Sequence, residues 1–238
     1  MVRVDKYLVD EGYFESRNRA SDAIKAGDVT LNGKKAKASM QVDQNTVVEV
    51  KQRKFYVSRA GRKLEGFLKE HPTDFQDKNV LDVGSSTGGF AQIVLEKQAK
   101  QVTCVDVGTQ QLHISLRNNP KVALFENTDI RDFKSDEKFD VITCDVSFIS
   151  ILQIVEAMDR LAQSQTNIII LYKPQFEVGK DVKRDSKGVV QDLDAIERKK
   201  ELFEDTAKKL GWKEDYQTLS TLTGKSGNQE YLYHFIKN

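Results

Sequence analysis

The chain lacks what several large protein classes require. Among its 238 residues are two Cys and three His, too few for a disulfide framework. Cys104 and Cys144 lie in apolar, strand-like runs and read as buried free thiols of a reducing compartment. No apolar run nears the roughly 18 residues of a membrane span, and the longest, Ile168 to Tyr172, reads as a core strand. The first residues, Met1-Val-Arg-Val-Asp, are charged at once and have no leader-like apolar stretch. Net charge is also scarce, since 37 Lys+Arg against 36 Asp+Glu leave +1. What is there, 39% hydrophobic and 31% charged residues, is the composition of a soluble globular protein of one or two domains. A disulfide scaffold, a zinc site and a membrane protein are excluded on this reading, and a cytoplasmic location is expected.

The near-neutral total hides an asymmetry. Residues 1–63 carry 14 Lys/Arg against 8 acids, so this part is +6 and the rest −5. A basic appendage on a mildly acidic body points to a polyanionic partner. The appendage reads as a small α+β unit over residues 1–50. One helix runs from Val4 to Glu11 and stops at Gly12; a second is capped by Ser16 and stops at Gly27. Val29 to Leu31 is a strand entering an Asn32-Gly33 hairpin turn, and Val47 to Val50 is another strand. Residues 51–59 read as a linker. From residue 60 to 238, apolar runs of strand length alternate with helix-period segments. The strands are Asn79–Val83, Gln101–Val107, Lys121–Glu126, Phe139–Asp145 and Asn167–Tyr172, and the helices Phe90–Lys97, Gln111–Asn118 and Ile151–Ala162. A helix over Asp192–Leu210 and two closing strands, Trp212–Leu219 and Glu230–Ile236, complete the series. Such alternation calls for a mostly parallel sheet covered on both faces, an α/β fold.

Val80-Leu-Asp-Val-Gly-Ser-Ser-Thr-Gly-Gly-Phe90 places a glycine turn between the first sheet strand and its helix, where backbone can approach a ligand. It is not a Walker loop, because Phe90 and Ala91 stand where Lys and a hydroxyl belong. Gly224-Lys225-Ser226 lacks the upstream glycine of that motif, and the dinucleotide pattern is absent too. An acid two residues before the first glycine, Asp82, repels a pyrophosphate and tolerates a cation. Asp106, ending the second strand, is placed for two ribose hydroxyls, and Asp129, after the third, for an adenine amino group. An adenosine bearing an ammonium and a sulfonium, S-adenosylmethionine, suits all three. The candidate cofactor set is Asp82, Gly84, Ser85, Ser86, Thr87, Gly88, Gly89, Phe90, Asp106, Val107, Asp129, Ile130 and Asp145.

Six stretches together resemble the TlyA (haemolysin A) family of ribosomal RNA 2′-O-methyltransferases. They are Tyr56-Val-Ser-Arg-Ala-Gly-Arg-Lys63, Leu81-Asp-Val-Gly-Ser-Ser-Thr-Gly-Gly-Phe90, Asp106-Val-Gly, Gln111-Leu-His, Asp145-Val-Ser-Phe-Ile-Ser150 and Lys173-Pro-Gln-Phe-Glu177. The resemblance implies a Rossmann-like class I methyltransferase with a mostly parallel seven-stranded sheet of FtsJ type. It also implies a small N-terminal RNA-binding module, shared with a ribosomal small-subunit protein and pseudouridine synthases. It carries over a Lys-Asp-Lys-Glu catalytic set onto Lys63, Asp145, Lys173 and Glu230. The start at Arg3-Val-Asp-Lys-Tyr-Leu matches the shorter members, which modify cytidine in large-subunit rRNA.

A sulfonium methyl is already a good electrophile, so the protein must align a ribose 2′-oxygen and ease away its proton. Lys173, turned out of its strand by Pro174, takes the central role as base or positioning cation; Lys63 is a neighbouring cation, and Asp145 and Glu230 hold the lysines. Taken singly, Lys63 reads as a solvated helix residue and Glu230 as a strand-edge acid. No metal is required and no His/Cys cluster is evident; His71, His113 and His234 read as surface or packing residues. Phosphate contacts fall to Arg3, Lys6, Arg17, Arg19, Lys34 and Lys35, with Arg53, Lys54, Arg59 and Arg62 at and beyond the linker. Phe55 and Tyr56 read as packing residues. The competing readings are an inactive RNA- or ribosome-binding protein, a small-molecule methyltransferase and a pore-former. No membrane partner is expected.

Overall fold

The structure is a computed structural model and describes residues 1–14, 16–51 and 54–238. The chain divides into two compact units, Met1–Phe55 and Tyr56–Asn238. The division falls inside the expected linker because its second half is anchored. Tyr56 Oη donates to Glu65 at 2.5 Å, Val57 N–H donates to Gln92 Oε1 at 2.8 Å, and Arg59 already begins a helix.

The first unit runs β1 (Val2–Arg3), α1 (Val4–Asp10), α2 (Arg17–Lys25), β2 (Val29–Leu31), β3 (Lys34–Lys35), β4 (Gln41–Val42) and β5 (Val48–Val50). Ser16 Oγ accepts from Arg19 N–H and starts α2. Asn32 and Gly33 both have positive φ, +48° and +75°, as the tight β2–β3 hairpin demands. Strands β3-β2-β5 form one sheet and β1-β4 a second, two-residue pairing that is too short to show any sequence periodicity. Val4, Leu8, Ala20, Ile24, Val29 and Leu31 make the core.

The second unit runs α3 (Arg59–Glu70), β6 (Asn79–Val83), α4 (Gly89–Glu96), β7 (Gln101–Val105), α5 (Ile114–Arg117), β8 (Val122–Phe125), β9 (Phe139–Cys144), α6 (Val155–Leu161), β10 (Ala162–Tyr172), α7 (Pro174–Glu177), α8 (Leu193–Lys209), β11 (Trp212–Leu219) and β12 (Tyr231–Lys237). Two expected helices are shorter than their periodicity predicts. Gln110 sits at φ +55° and His113 is extended, so α5 cannot begin before Ile114. Ile154 breaks the second into a 3-10 turn, Ile151–Gln153, and α6. Ala162 then starts β10, whose register shifts between Ala162 and Asn167 around Gln165 at φ +69°.

The seven strands lie in the order β11-β12-β10-β9-β6-β7-β8, and only β12 runs against its neighbours. Alternate residues feed two apolar layers. Leu81, Ile142, Ile168 and Ile170 pack with Met158 and Phe203, while Val80, Val141, Ile169 and Leu171 pack with Leu64, Phe67, Phe90 and Val94. Both cysteines are buried and free. After β6 the chain turns to β7 on one side, and β9 takes the other. The strand order therefore reverses at β6/β9, and the crevice beyond the carboxyl ends of these strands is where such sheets bind ligands.

Candidate active site

The loop after β6 is shaped by close approaches. Gly84 has φ +74°, and a Cβ there would lie 2.8 Å from Val146 Cγ1 and 3.0 Å from Asp145 O. Glycine thus lets the β6 and β9 ends close together. Gly89 serves helix packing, since a Cβ on it would meet Ser58 Oγ at 2.1 Å and Gly61 N at 2.8 Å. Phe90 is buried in the core beside it. Asp82 lies beneath the loop with no exposed surface. Its two oxygens accept from Ala91 N–H at 3.1 Å and Thr143 Oγ1 at 2.8 Å. Burial pushes its carboxyl up to about 7. Asp82 therefore ties α4 to β9 and borders the crevice from below.

Beside the loop is a cavity of about 320 Å³ whose apolar walls include Val107, Ile130, Val146 and Ile149, with Asp106 and Asp129 at its polar end. Asp106 Oδ2 accepts from Ser86 N–H at 2.8 Å and Oδ1 from Gly108 N–H at 2.7 Å, which pins the carboxylate at the end of β7. Asp129 is paired with Arg131 at 2.6 Å, and that guanidinium holds its carboxyl below the usual range. A cavity with apolar walls and two fixed carboxylates fits a nucleoside, whose base is apolar on its faces and whose hydroxyls donate.

The adjoining cavity, about 620 Å³, is lined by Lys63, Asp145, Lys173 and Glu230, together with Gly84 to Thr87, Gly89 and Phe90. The four form two ion pairs. Lys173, leaving β10 ahead of Pro174, lies 2.6 Å from Asp145 Oδ1 at the end of β9, and its Nζ donates to Ser147 Oγ at 2.9 Å. Oδ1 itself receives no aligned hydrogen bond, so this pair rests on charge. Lys63 Nζ donates to Glu230 Oε2, and Gln175 Nε2 donates to Oε1 at 2.9 Å. Lys63 is no solvated helix residue: its side chain is 8% exposed and that of Glu230 is 3%. α3 lies against the sheet on the face of Leu64 and Phe67, which turns Lys63 inward.

Residues unassigned from the sequence also line this cavity, notably Ser147, Phe148, Gln175 and Arg184. Ser147, Phe148 and Gln175 fall within motifs already singled out, so the signal was present without a role attached. Phe148 is 91% exposed, has φ +67°, and stands 5.0 Å from Phe176 between the two cavities. Two of those motifs are locked together, since Glu177 accepts from Ser150 Oγ at 2.5 Å and Ile151 N–H at 2.9 Å.

The cations chosen for RNA fall into groups. Arg3 and Arg17 both clasp the buried Asp5, at 3.1 and 2.7 Å, so part of their charge is spent internally. Arg19 lies over the Phe55 ring at 4.0 Å. Arg59 donates to Thr223 O at 2.8 Å and borders the larger cavity. Lys6, Lys34, Lys35, Lys54 and Arg62 are exposed, and Arg53 lies outside the described residues. The reading that no histidine cluster exists needs correction. Residues distant in sequence meet as α3 ends against β11 and β12, bringing His71, Asp215 and His234 together. Spacing along the chain could not show this. His113 caps α5 by accepting from Ser115 N–H.

Residues 56–237 match the FtsJ-like methyltransferase family and residues 2–48 the S4 domain. With the strand order and glycine crevice, this defines an S-adenosylmethionine-dependent methyltransferase carrying an S4 module. A 23S rRNA (cytidine-2′-O)-methyltransferase TlyA from Campylobacter jejuni is 48% identical, over 94% of this chain and 95% of its own. A 16S/23S rRNA (cytidine-2′-O)-methyltransferase TlyA from Mycobacterium tuberculosis is 37% identical, over 97% and 88%. A solved structure of a candidate hemolysin from Streptococcus thermophilus is 33% identical and superimposes with a TM-score of 0.73, covering 99% of this chain and 88% of that one. The chain belongs to the TlyA family of rRNA methyltransferases. Among the described residues, no helix is long and apolar enough to cross a membrane.

Proposed function

We propose that this enzyme methylates the 2′-oxygen of a cytidine in ribosomal RNA, within the large subunit, using S-adenosylmethionine. The observation that carries the reading is the pairing of Lys173 with Asp145 and of Lys63 with Glu230 in one cavity that opens beside the nucleoside slot. Asp106, Asp129, Val107 and Ile130 would hold the nucleoside of the cofactor, and the Gly84–Gly88 loop backbone with Asp145 its amino-acid end. When bound, the cofactor supplies an electrophilic methyl group.

The chain's own residues do the rest. Lys173 Nζ, fixed by Ser147 and Asp145, orients the 2′-oxygen in its charged form and takes the hydroxyl proton in its neutral form. Lys63, held by Glu230 and Gln175, stands in the same cavity as a second positioning cation. Phe148 offers a face on which a base turned out of the RNA can stack. Phosphate contacts come from the exposed cations of the S4 module, Lys6, Lys34 and Lys35 foremost. Such an enzyme works in the cytoplasm, and the transfer itself needs neither a membrane nor a metal because the methyl is already activated.

The test is transfer of labelled methyl to large ribosomal subunits by wild type and by Lys173→Ala, with S-adenosylhomocysteine binding measured in parallel. Label at a cytidine 2′-oxygen from wild type, and a loss of at least about a hundredfold in the variant with intact binding, supports the reading. Equal labelling by both removes Lys173 from the chemistry, and label on small molecules alone removes the RNA substrate.

A further inference from the structure

We propose that His71, Asp215 and His234 form a binding site for a divalent transition metal, zinc by ligand chemistry, that staples α3 to the β11–β12 edge. His71 Nε2 lies 2.8 Å from His234 Nδ1 and 2.9 Å from Asp215 Oδ2, and His234 Nδ1 lies 3.3 Å from that oxygen. Three donor atoms from three elements therefore converge on one point. Ligands of a tetrahedral zinc bonded at about 2.0–2.1 Å are about 3.3 Å apart, so small side-chain rotations admit the ion.

Hydrogen bookkeeping points the same way. His234 Nε2 donates to Asn167 Oδ1 at 2.9 Å, so Nδ1 turns its lone pair inward, towards a carboxylate oxygen that is also an acceptor. Only the Nε2–H of His71 lies between them, one hydrogen for two acceptors. A metal satisfies all three donors at once. The Asn167 bond is also the outer contact that fixes the tautomer of a ligating histidine. Stacking of the His71 ring on Tyr216, 4.6 Å between centroids and 16° from parallel, fixes its orientation. Two imidazoles and one carboxylate suit zinc and its neighbours over magnesium or calcium, and they leave one position for water.

The site shares its two main supports with the active site. Lys63 and His71 lie on α3 and its cap, about 12 Å apart along the helix; Glu230 immediately precedes β12 and His234 lies on it, roughly 13 Å further along the chain. The two contacts fix the same helix to the same strand at both ends. A bound metal would thus set the register that holds Lys63 against Glu230.

The experiment titrates the metal-stripped full chain with cobalt(II), reading the visible d–d bands of a tetrahedral site, and then displaces cobalt with zinc. Asp215→Ala, on the partly exposed strand β11, and His71→Ala each remove one ligand. S-adenosylhomocysteine binding reports that each variant is folded. One equivalent of cobalt should give the bands, zinc should abolish them, and each variant should bind cobalt more than about tenfold more weakly. Zinc should raise the melting midpoint of wild type alone. Absence of the bands in wild type, or affinity within about tenfold of wild type in either folded variant, overturns the site.

Discussion

Replacing Lys63 with Met tests whether the Lys63–Glu230 pair is chemical or merely structural. The substitution keeps the unbranched stem of the side chain and deletes its terminal charged nitrogen. Glu230, 3% exposed, would then be left with Gln175 Nε2 as its remaining donor. Stranding one partner of a buried ion pair costs about 3–5 kcal/mol, roughly 10 °C of melting midpoint for a domain of this size. Removing both charges in Lys63→Met/Glu230→Leu should return most of that loss, because two apolar groups need no compensation. Stability is read from the fluorescence of Trp212, the chain's one tryptophan, buried in the second unit. Methyl transfer to ribosomal subunits is measured on the same samples. The expected pattern is a destabilised single variant and a stable double variant that is still inactive. A stable double variant that methylates normally would refute a catalytic role for the pair. A single-variant loss below about 1 kcal/mol would refute the burial argument behind the number.

Three further outcomes follow from the same geometry. Burial holds the Asp82 carboxyl near 7, above its value in the unfolded chain, so its protonated form favours the folded state and stability is lost as pH rises between the two values. Relative to Asp82→Asn, wild type should lose about 1.4 kcal/mol per pH unit between about pH 5 and 7 in urea titrations; a flat difference would show that Asp82 ionises normally. Gly84→Ala forces a side chain into φ +74° against Val146 and Asp145 O, a strain of about 1–2 kcal/mol. Calorimetry should show about tenfold weaker S-adenosylhomocysteine binding, and unchanged affinity would mean that the loop relaxes freely. Phe148→Ala removes an exposed ring, so the melting midpoint should hold while kcat/KM on RNA falls by the worth of one stacked base, about 1–3 kcal/mol. Normal turnover would leave Phe148 without a role in substrate capture.

The sequence shows most clearly what local chemistry controls. Ser16, Asn32-Gly33 and the alternating runs of the sheet act within a few residues, so helix caps, the hairpin and the strand series could be read directly. Where a boundary depends on tertiary contact, periodicity misled. The pattern over Ile151–Ala162 is helical, yet Ala162 is taken by β10, which pairs with Phe139. The acid before the glycine loop, Asp82, is placed at the crevice by its spacing and does border the larger cavity. Its burial under Ala91 and Thr143 is a property of packing that spacing does not encode. The histidines show the limit most sharply. His71 and His234 are 163 positions apart, and only the course of α3 beside β12 brings them within 2.8 Å.

The pairing of each active-site lysine with its own carboxylate has a consequence for substrate capture. Lys63 with Glu230, and Lys173 with Asp145, make the quartet formally neutral. A neutral, largely buried quartet exerts little long-range pull on a polyanion. Attraction for RNA must therefore come from elsewhere in the chain, and the excess positive charge is concentrated in residues 1–63, at +6 against −5 for the remainder. Within that stretch Arg3 and Arg17 are partly neutralised by Asp5, while Lys6, Lys34, Lys35, Lys37, Lys51 and Arg62 are among the exposed carriers. Phosphate neutralisation positions RNA without reading its sequence. On the proposed mechanism, the choice of nucleotide then rests on which ribose can enter the cavity beside Phe148 and bring its 2′-oxygen to Lys173. On that proposal affinity and selectivity are carried by different residues, and the chain can keep a charge-balanced reaction centre while still binding a highly charged substrate.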